Sequence, residues 1–195
     1  GVIMTDMYNI PIIARGRIIE PGEDAVEYAG RGGAKFRTPD PHKHIHDLVL
    51  GNPVLLHDLM DTPVREIVDF LAEVGKRLRL DDNPWLQESF ALALQAGGLA
   101  EPILRGVYDD LPRMFDAKAM TALADKSVGI AYLDGWVAGD EPYANCRVRA
   151  VGTRQLHITA GNVHVVDALT IVRGALTTSD VLIKAASNGP LTAND

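Results

Sequence analysis

The segment at residues 152–193, GTRQLHITAGNVHVVDALTIVRGALTTSDVLIKAASNGPLTA, carries the clearest pattern of the chain. Apolar residues 156–159 predict a strand, and a turn of small residues follows it at 160–162. An apolar helix is predicted from 163 to about 176, and a second buried strand at 181–183. This order predicts a strand–turn–helix–strand unit of an open parallel sheet, in which ligands bind at the carboxyl ends of the strands.

Two polar groups come at those predicted strand ends, the amide of Asn162 and the ammonium of Lys184. Each has an ordinary structural explanation, which the residues alone leave open. Asn162 directly precedes a helix, where asparagine is a favoured N-cap. Lys184 is equally consistent with a lysine that ends a strand in solvent.

The rest of the chain divides by pattern into three further parts. Residues 1–41 predict a β-rich cap with short strands at 10–13, 17–19 and 25–28, separated by glycine turns. Residues 42–127 predict a helical layer, with start signals at Thr62-Pro63 and Asn83-Pro84 and an end at Gly97-Gly98.

Residues 128–151 predict a long β-hairpin with strands at 128–137 and 146–151. Such an arm can pair with the sheet edge of another subunit, so we expect a homo-oligomer. Residues 152–195 predict the start of a dinucleotide-binding domain. The predicted fold class is therefore α/β, with a helical layer, a hairpin and the first part of a Rossmann-like parallel sheet.

Composition excludes several classes of protein. The net charge of −7 disfavours nucleic-acid binding, because phosphate contacts need clustered lysine and arginine. No run of apolar residues is long enough for a membrane span, and the first residues do not have the pattern of a signal peptide. The single cysteine, Cys146, excludes an internal disulfide, which favours a cytoplasmic location.

The motifs HITAGNVHVV, LTTSDVLIKAAS and NGPLTA resemble the aldehyde dehydrogenase superfamily. Within it, the chain is most similar to the acyl-CoA reductases related to the fatty-acid reductase of bacterial luminescence. The resemblance is strong over about the last seventy residues. It implies reduction of a fatty acyl-CoA or acyl-protein thioester to an aldehyde, with a reduced nicotinamide cofactor and a cysteine acyl-enzyme.

The resemblance also implies a role for each candidate residue. Asn162 matches the oxyanion asparagine, and Lys184 matches the lysine that holds the adenosine ribose. The main chain of Thr159, Ala160 and Gly161 would line the nicotinamide side. Ser187 stands where NAD-preferring relatives carry a glutamate that repels a 2′-phosphate, so the expected cofactor is NADPH, with NADH also possible.

The nucleophilic cysteine of the family would follow Asp195, so we expect this chain to be an N-terminal part of a longer enzyme and inactive alone. Cys146 precedes Asn162 and is better interpreted as a structural cysteine. The alternative to an enzyme fragment is a non-catalytic assembly module, in which the helices and the hairpin make oligomer contacts.

Several remaining signals have simple interpretations. The alternating histidines His42, His44 and His46 would share one face of a strand, but the prolines beside them favour a loop, and no metal site is predicted. The glycines at 30–33 predict a turn. His157 and His164 are expected to be packed histidines rather than general bases. Asp167 is expected to face solvent or a missing lobe.

Overall fold

The computed structural model describes residues 7–161, 166–187 and 189–191. Five short strands open the chain: β1 (Met7–Asn9), β2 (Ile12–Ala14), β3 (Arg17–Ile19), β4 (Val26–Ala29) and β5 (Lys35–Thr38). One sheet has the order β1-β5-β4, with β1 parallel and β4 antiparallel to β5, while β2 and β3 form a hairpin. The strands predicted at 17–19 and 25–28 are therefore confirmed, the one predicted at 10–13 lies at 12–14 instead, and β1 and β5 were not predicted.

Eight α-helices come next within the described residues, with short connections between them. They are α1 (Pro41–Leu48), α2 (Leu56–Met60), α3 (Val64–Gly75), α4 (Pro84–Ala96), α5 (Glu101–Asp109), α6 (Leu111–Met114), α7 (Ala117–Ser127) and α8 (Ile130–Asp134). The chain then forms β6 (Val137–Ala138), β7 (Arg147–Val148), β8 (Arg154–Ile158), α9 (Val166–Leu176) and β9 (Asp180–Lys184). No helix among the described residues is long and apolar enough to cross a membrane.

The helix α4 begins as its start signal predicts. Asn83 is the N-cap, and its Oδ1 accepts hydrogen bonds from the backbone N–H groups of Trp85 and Leu86, at 2.9 and 3.1 Å. Pro84 occupies the first helical position, where a missing N–H costs nothing. The helix ends at Gly97, which is also the predicted end.

The helix α3 begins differently from the prediction. The hydroxyl of Thr62 does not cap it but donates to the carbonyl of Asp58 at 3.1 Å. The N-cap position is Pro63, and the first helical N–H, that of Val64, donates to Oδ1 of Asp134 at 2.8 Å. A side chain seventy residues away therefore satisfies this helix start, which sequence spacing could not show.

The main core lies between the helices. Its buried residues come from every helix from α3 to α9, among them Val68, Leu86, Leu104, Met120 and Val172. Within it the rings of Phe90 and Tyr108 meet edge to face at 5.3 Å, and the Tyr108 hydroxyl shares a 2.7 Å hydrogen bond with Ser89. The contribution of α9 joins the predicted dinucleotide-binding unit to the helical layer.

A second core lies under the N-terminal sheet. It consists of Ile10, Ala34, Phe36, Leu92, Ala96 and Leu191. The helix α4 contributes to both cores, which explains why apolar residues occur on more than one of its faces. Gly32, at φ 65°, packs against the end of α4, where an added Cβ would lie 1.8 Å from the carbonyl oxygen of Gln95. The predicted glycine turn at 30–33 is thus confirmed.

The prediction of a strand at 128–137 is wrong. The helix α7 continues to Ser127, Gly129 adopts φ 103°, and α8 follows at Ile130–Asp134. Leu133 of α8 is buried in the main core, so the apolar run follows helical spacing there. The hairpin itself is present but short, with Val137–Ala138 antiparallel to Arg147–Val148. The four-part division of the chain remains a prediction.

Cys146 also differs from its interpretation as a structural cysteine. Its side chain is exposed in the hairpin loop just before β7, and its carbonyl accepts from the N–H of Gly139 at 3.0 Å. A thiol in solvent contributes no packing, so the backbone of this residue, rather than its sulfur, supports the hairpin.

Candidate functional site

The two predicted strands of the 152–193 segment lie side by side. β8 and β9 are parallel, with Arg154 opposite Asp180 at the amino end and Ile158 opposite Lys184 at the carboxyl end. The helix α9 connects them, as expected for a parallel crossover. The strand–turn–helix–strand unit is therefore confirmed within the described residues, although its Rossmann-like extension stays a prediction.

Thr159 fixes the carboxyl end of this strand pair. Its backbone N–H and its hydroxyl both donate to the carbonyl of Lys184, each at 3.2 Å. The threonine is buried, at 9 % exposure, whereas the Lys184 side chain is exposed. The bonds involve the backbone of Lys184, which lies at the carboxyl end of the strand pair, the end where ligands of open α/β sheets bind.

The turn after β8 is made of small residues, as predicted. Ala160 is exposed and Gly161 is half-buried. Asn162, the predicted oxyanion donor, and His164 lie outside the described residues. Their roles therefore remain predictions that rest on the sequence.

The segment that follows Lys184 turns back within a few residues. Ala185 and Ala186 are half-buried, Ser187 is exposed, and the N–H of Gly189 donates to the carbonyl of Ala186 at 3.2 Å. Ser187 thus lies in a turn just past the strand end that carries Lys184. Its position beside the cofactor ribose stays a prediction.

Asp167 does not face solvent. It lies in the first turn of α9 at 5 % exposure, directly before Ala168 of the main core. The early position favours a carboxylate, because the helix N-terminus carries a partial positive charge. The solvent-facing alternative for Asp167 is therefore wrong, and the alternative that it faces a missing lobe stays a prediction.

His157 agrees with the packed interpretation. The Nε2 of its half-buried ring lies 3.0 Å from Oε1 of Gln155, and Nε2 of Gln155 donates to the hydroxyl of Ser179 at 3.2 Å. The amide oxygen can only accept, so His157 donates from Nε2. The Gln155–Ser179 bond links β8 to the residue before β9, while His157 bonds to the same glutamine within β8.

A cavity of about 270 Å³ lies at the opposite end of the strands from Lys184. It is lined by Pro53, Leu56, His57, Met60, Val151, Gly152, Thr153, Arg154 and Thr178. Arginines hold the 48–60 segment that forms one wall: Arg154 donates to the carbonyl of Leu50 at 3.1 Å, and Arg149 to that of Met60 at 2.6 Å. The cavity therefore lies away from the predicted cofactor edge.

The histidine segment is a helix rather than a loop. Asp40 is the N-cap of α1, and its Oδ1 accepts from the N–H of His42 at 3.0 Å, with Pro41 at the first helical position. Asp40-Pro41 is the same kind of start signal as Asn83-Pro84, so the start of α1 could have been predicted from the sequence. Among the described residues, no group of three or more histidine, cysteine or acidic side chains is placed to hold a metal ion.

Comparisons with known proteins point to one family. Residues 59–195 match the family profile described as Acyl-CoA reductase (LuxC). Relatives named long-chain acyl-protein thioester reductase include those of Vibrio harveyi, 24 % identical over 95 % of this chain, and Photorhabdus laumondii, 24 % identical over 98 %. The Aliivibrio fischeri protein of the same name is 25 % identical over 71 %.

The chain spans 38 % of the length of the Vibrio harveyi relative and 39 % of that of the Photorhabdus laumondii relative. The family profile covers well over half of this chain, including the whole β8–α9–β9 unit and both predicted strand-end groups. The chain belongs to the acyl-CoA reductase (LuxC) family.

Proposed function

We propose that this chain is the cofactor-lobe portion of an NADPH-dependent reductase that converts a fatty acyl thioester to an aldehyde. One observation carries the proposal: Thr159 is hydrogen-bonded to the carbonyl of Lys184 at the carboxyl ends of the parallel strands β8 and β9. Both residues lie in the segment matched by the LuxC profile. In an open α/β sheet this edge is the usual place for a dinucleotide. The aldehyde dehydrogenase-like fold of the complete protein is part of the proposal.

The residues at this edge fit a nicotinamide dinucleotide. An exposed ammonium suits the polar adenosine ribose, and the small residues Ala160 and Gly161 leave room for close approach of a ring to the backbone. When bound, the cofactor supplies the hydride that reduces the acyl group. In this proposal Lys184 binds the ribose hydroxyls, while the hydrogen bonds of Thr159 to the Lys184 carbonyl keep that strand end in position.

The proposed role of Asn162 is electrostatic. Its amide N–H groups would donate to the thioester oxygen as negative charge develops there. Loss of one such donor typically costs about 3 kcal/mol of transition-state stabilisation. The proposal assigns the nucleophilic cysteine to a segment outside this chain, because Cys146 lies in the hairpin loop before β7 and not at the carboxyl ends of β8 and β9.

Ser187 is the proposed determinant of cofactor choice. A carboxylate at this turn would repel the 2′-phosphate of NADPH, which carries nearly two negative charges. A like-charge pair at about 4 Å costs roughly 4 kcal/mol at an effective dielectric near 20, and screening reduces this to about 1–2 kcal/mol. Because serine is neutral and can donate a hydrogen bond, NADPH should bind at least as well as NADH.

The test is to measure dissociation constants for NADPH and NADH in the full-length protein. Ser187→Glu should weaken NADPH about tenfold and leave NADH nearly unchanged. Lys184→Ala should weaken both, because both share the ribose, whereas Lys118→Ala on the exposed face of α7 serves as the matched lysine control. An unchanged NADPH-to-NADH ratio in Ser187→Glu would show that Ser187 does not face the ribose.

The alternative, a non-catalytic assembly module, predicts the opposite result for cofactor binding. If the helices and the hairpin only support oligomer contacts, the full-length protein would bind neither cofactor, and Lys184→Ala would change nothing. The proposal also expects that the 195-residue chain alone does not reduce long-chain acyl-CoA with NADPH. Turnover by the isolated chain would contradict the assignment of the nucleophile to a segment outside it.

A further inference from the structure

We propose that α1 carries a surface site for a divalent transition metal such as Zn²⁺, formed by the imidazoles of His42 and His46 with water completing the coordination. In a helix, residues four apart lie on the same face, with Cβ atoms about 5–6 Å apart. Both side chains are exposed. Imidazole nitrogen is a preferred ligand for Zn²⁺, Cu²⁺ and Ni²⁺.

The helix decides which histidines act together. In an extended segment His42, His44 and His46 would share one face, because the side-chain period is two. In α1, His44 lies two residues from each of the others, on the other side of the helix. Its side chain is more buried, at 26 % exposure, and its Nδ1 lies 3.9 Å from Oδ2 of Asp47. The site therefore has two protein ligands, not three.

Asp40 prepares His42 for coordination. The Nδ1 of His42 lies 2.9 Å from Oδ1 of Asp40, which also accepts a hydrogen bond from the backbone N–H of His42 at 3.0 Å. An ionised carboxylate can only accept, so His42 donates from Nδ1. The neutral ring then has its lone pair on Nε2, on a side chain that is 94 % exposed.

This arrangement is the carboxylate–histidine pair that supports metal ligands in many proteins, where the carboxylate fixes the tautomer and raises ligand basicity. The positive charge of Lys43 does not oppose metal binding, because its ammonium pairs with Asp24. Asp40 also adds negative charge beside the proposed ion. The geometry of the cap thus serves both the helix start and the ligand.

The experiment is calorimetric titration of the 195-residue chain with ZnCl₂, compared with His42→Ala, His46→Ala and His44→Ala. We expect one binding event that is weakened about tenfold or more by either of the first two changes and left unchanged by the third. Asp40→Asn, which keeps a good N-cap residue, should also weaken binding by about tenfold. Circular dichroism checks that each variant remains folded.

Two outcomes would overturn the proposal. Equal loss of affinity in His44→Ala and His42→Ala would mean that the segment coordinates in an extended form, without the helical pair. Equal affinity of the unmodified chain and the double variant His42→Ala/His46→Ala would mean that the remaining histidines, including His57 and His157, bind all the metal.

Discussion

Thr178, a β-branched residue, adopts a left-handed backbone conformation that favours glycine. It follows α9 at φ 53°, where the N–H of Ser179 donates to the carbonyl of Gly174 and that of Thr178 to the carbonyl of Ala175. These two bonds form a Schellman motif, in which the left-handed residue is usually glycine. A β-branched residue in this conformation is strained.

We predict that Thr178→Gly raises the free energy of unfolding by about 0.5–1 kcal/mol. The relief of left-handed strain, about 1–2 kcal/mol, exceeds the greater entropy that glycine has in the unfolded chain. Chemical denaturation measures the change.

Thr177→Gly is the matched control. The Thr177 hydroxyl donates to the carbonyl of Arg173 at 2.9 Å and meets the hydroxyl of Ser179 at 2.9 Å, so its loss should destabilise the chain. Destabilisation by both changes would show that the Thr178 side chain contributes more than its strain costs.

At the scale of elements, α9 depends on close contact with β9. Gly174 faces Val181, and an added Cβ would lie 2.3 Å from Cγ2 of that valine. The valine side chain is stiff about χ1 and cannot turn aside cheaply. Gly174→Ala should therefore lower the free energy of unfolding by about 1–3 kcal/mol, despite the better helix propensity of alanine.

Gly106 provides the opposite case within α5. No atom lies within 4 Å of the Cβ that alanine would add there. Gly106→Ala should raise the free energy of unfolding by about 0.5–1 kcal/mol, because only propensity changes. Thermal and denaturant unfolding of both variants test the pair. A change in the free energy of unfolding of the same sign in both variants would refute the packing argument.

The start of α3 gives a second test at this scale. Asp134→Ala should lower the free energy of unfolding by about 1 kcal/mol, because the N–H of Val64 loses its acceptor. Thr62→Ala, at the position that the sequence predicts as the cap, should cost less. Denaturant titration measures the free energy of unfolding of both variants. A larger loss in Thr62→Ala than in Asp134→Ala would support the predicted Thr62 cap.

At the scale of the whole molecule, the hairpin and one face of β8 are among the parts of the chain that carry exposed apolar side chains. Val148 is 53 % exposed, Leu156 63 % and Ile158 74 %. Contiguous exposed apolar groups mark interaction surfaces. We predict that the chain self-associates through the hairpin and that Val148→Asp shifts it toward monomer.

Sedimentation velocity across a range of concentrations tests this prediction. Glu141→Ala, in the loop of the same hairpin, is a control that removes a charge without adding one next to the apolar surface. A chain that is monomeric at every concentration, with or without Val148→Asp, would assign no role in association to the hairpin.

The sequence alone determined the elements whose signals are local. Asn83-Pro84 gave the start of α4, glycines gave the N-terminal turns, and the 152–193 pattern gave the parallel pair with Lys184 at its end. These features depend on neighbouring residues: a cap bond, a permitted φ, or alternation of side chains. The family resemblance rested on the same local motifs.

Tertiary structure decided what depends on distant partners. The N–H of Val64 is satisfied by Asp134, Leu191 is buried beneath the N-terminal sheet, and residues 130–134 are helical because Leu133 joins the core. A short apolar run fits a strand or a helix, and only the surface available for burial distinguishes them. Burial and long-range hydrogen bonds follow from packing, which sequence spacing does not encode.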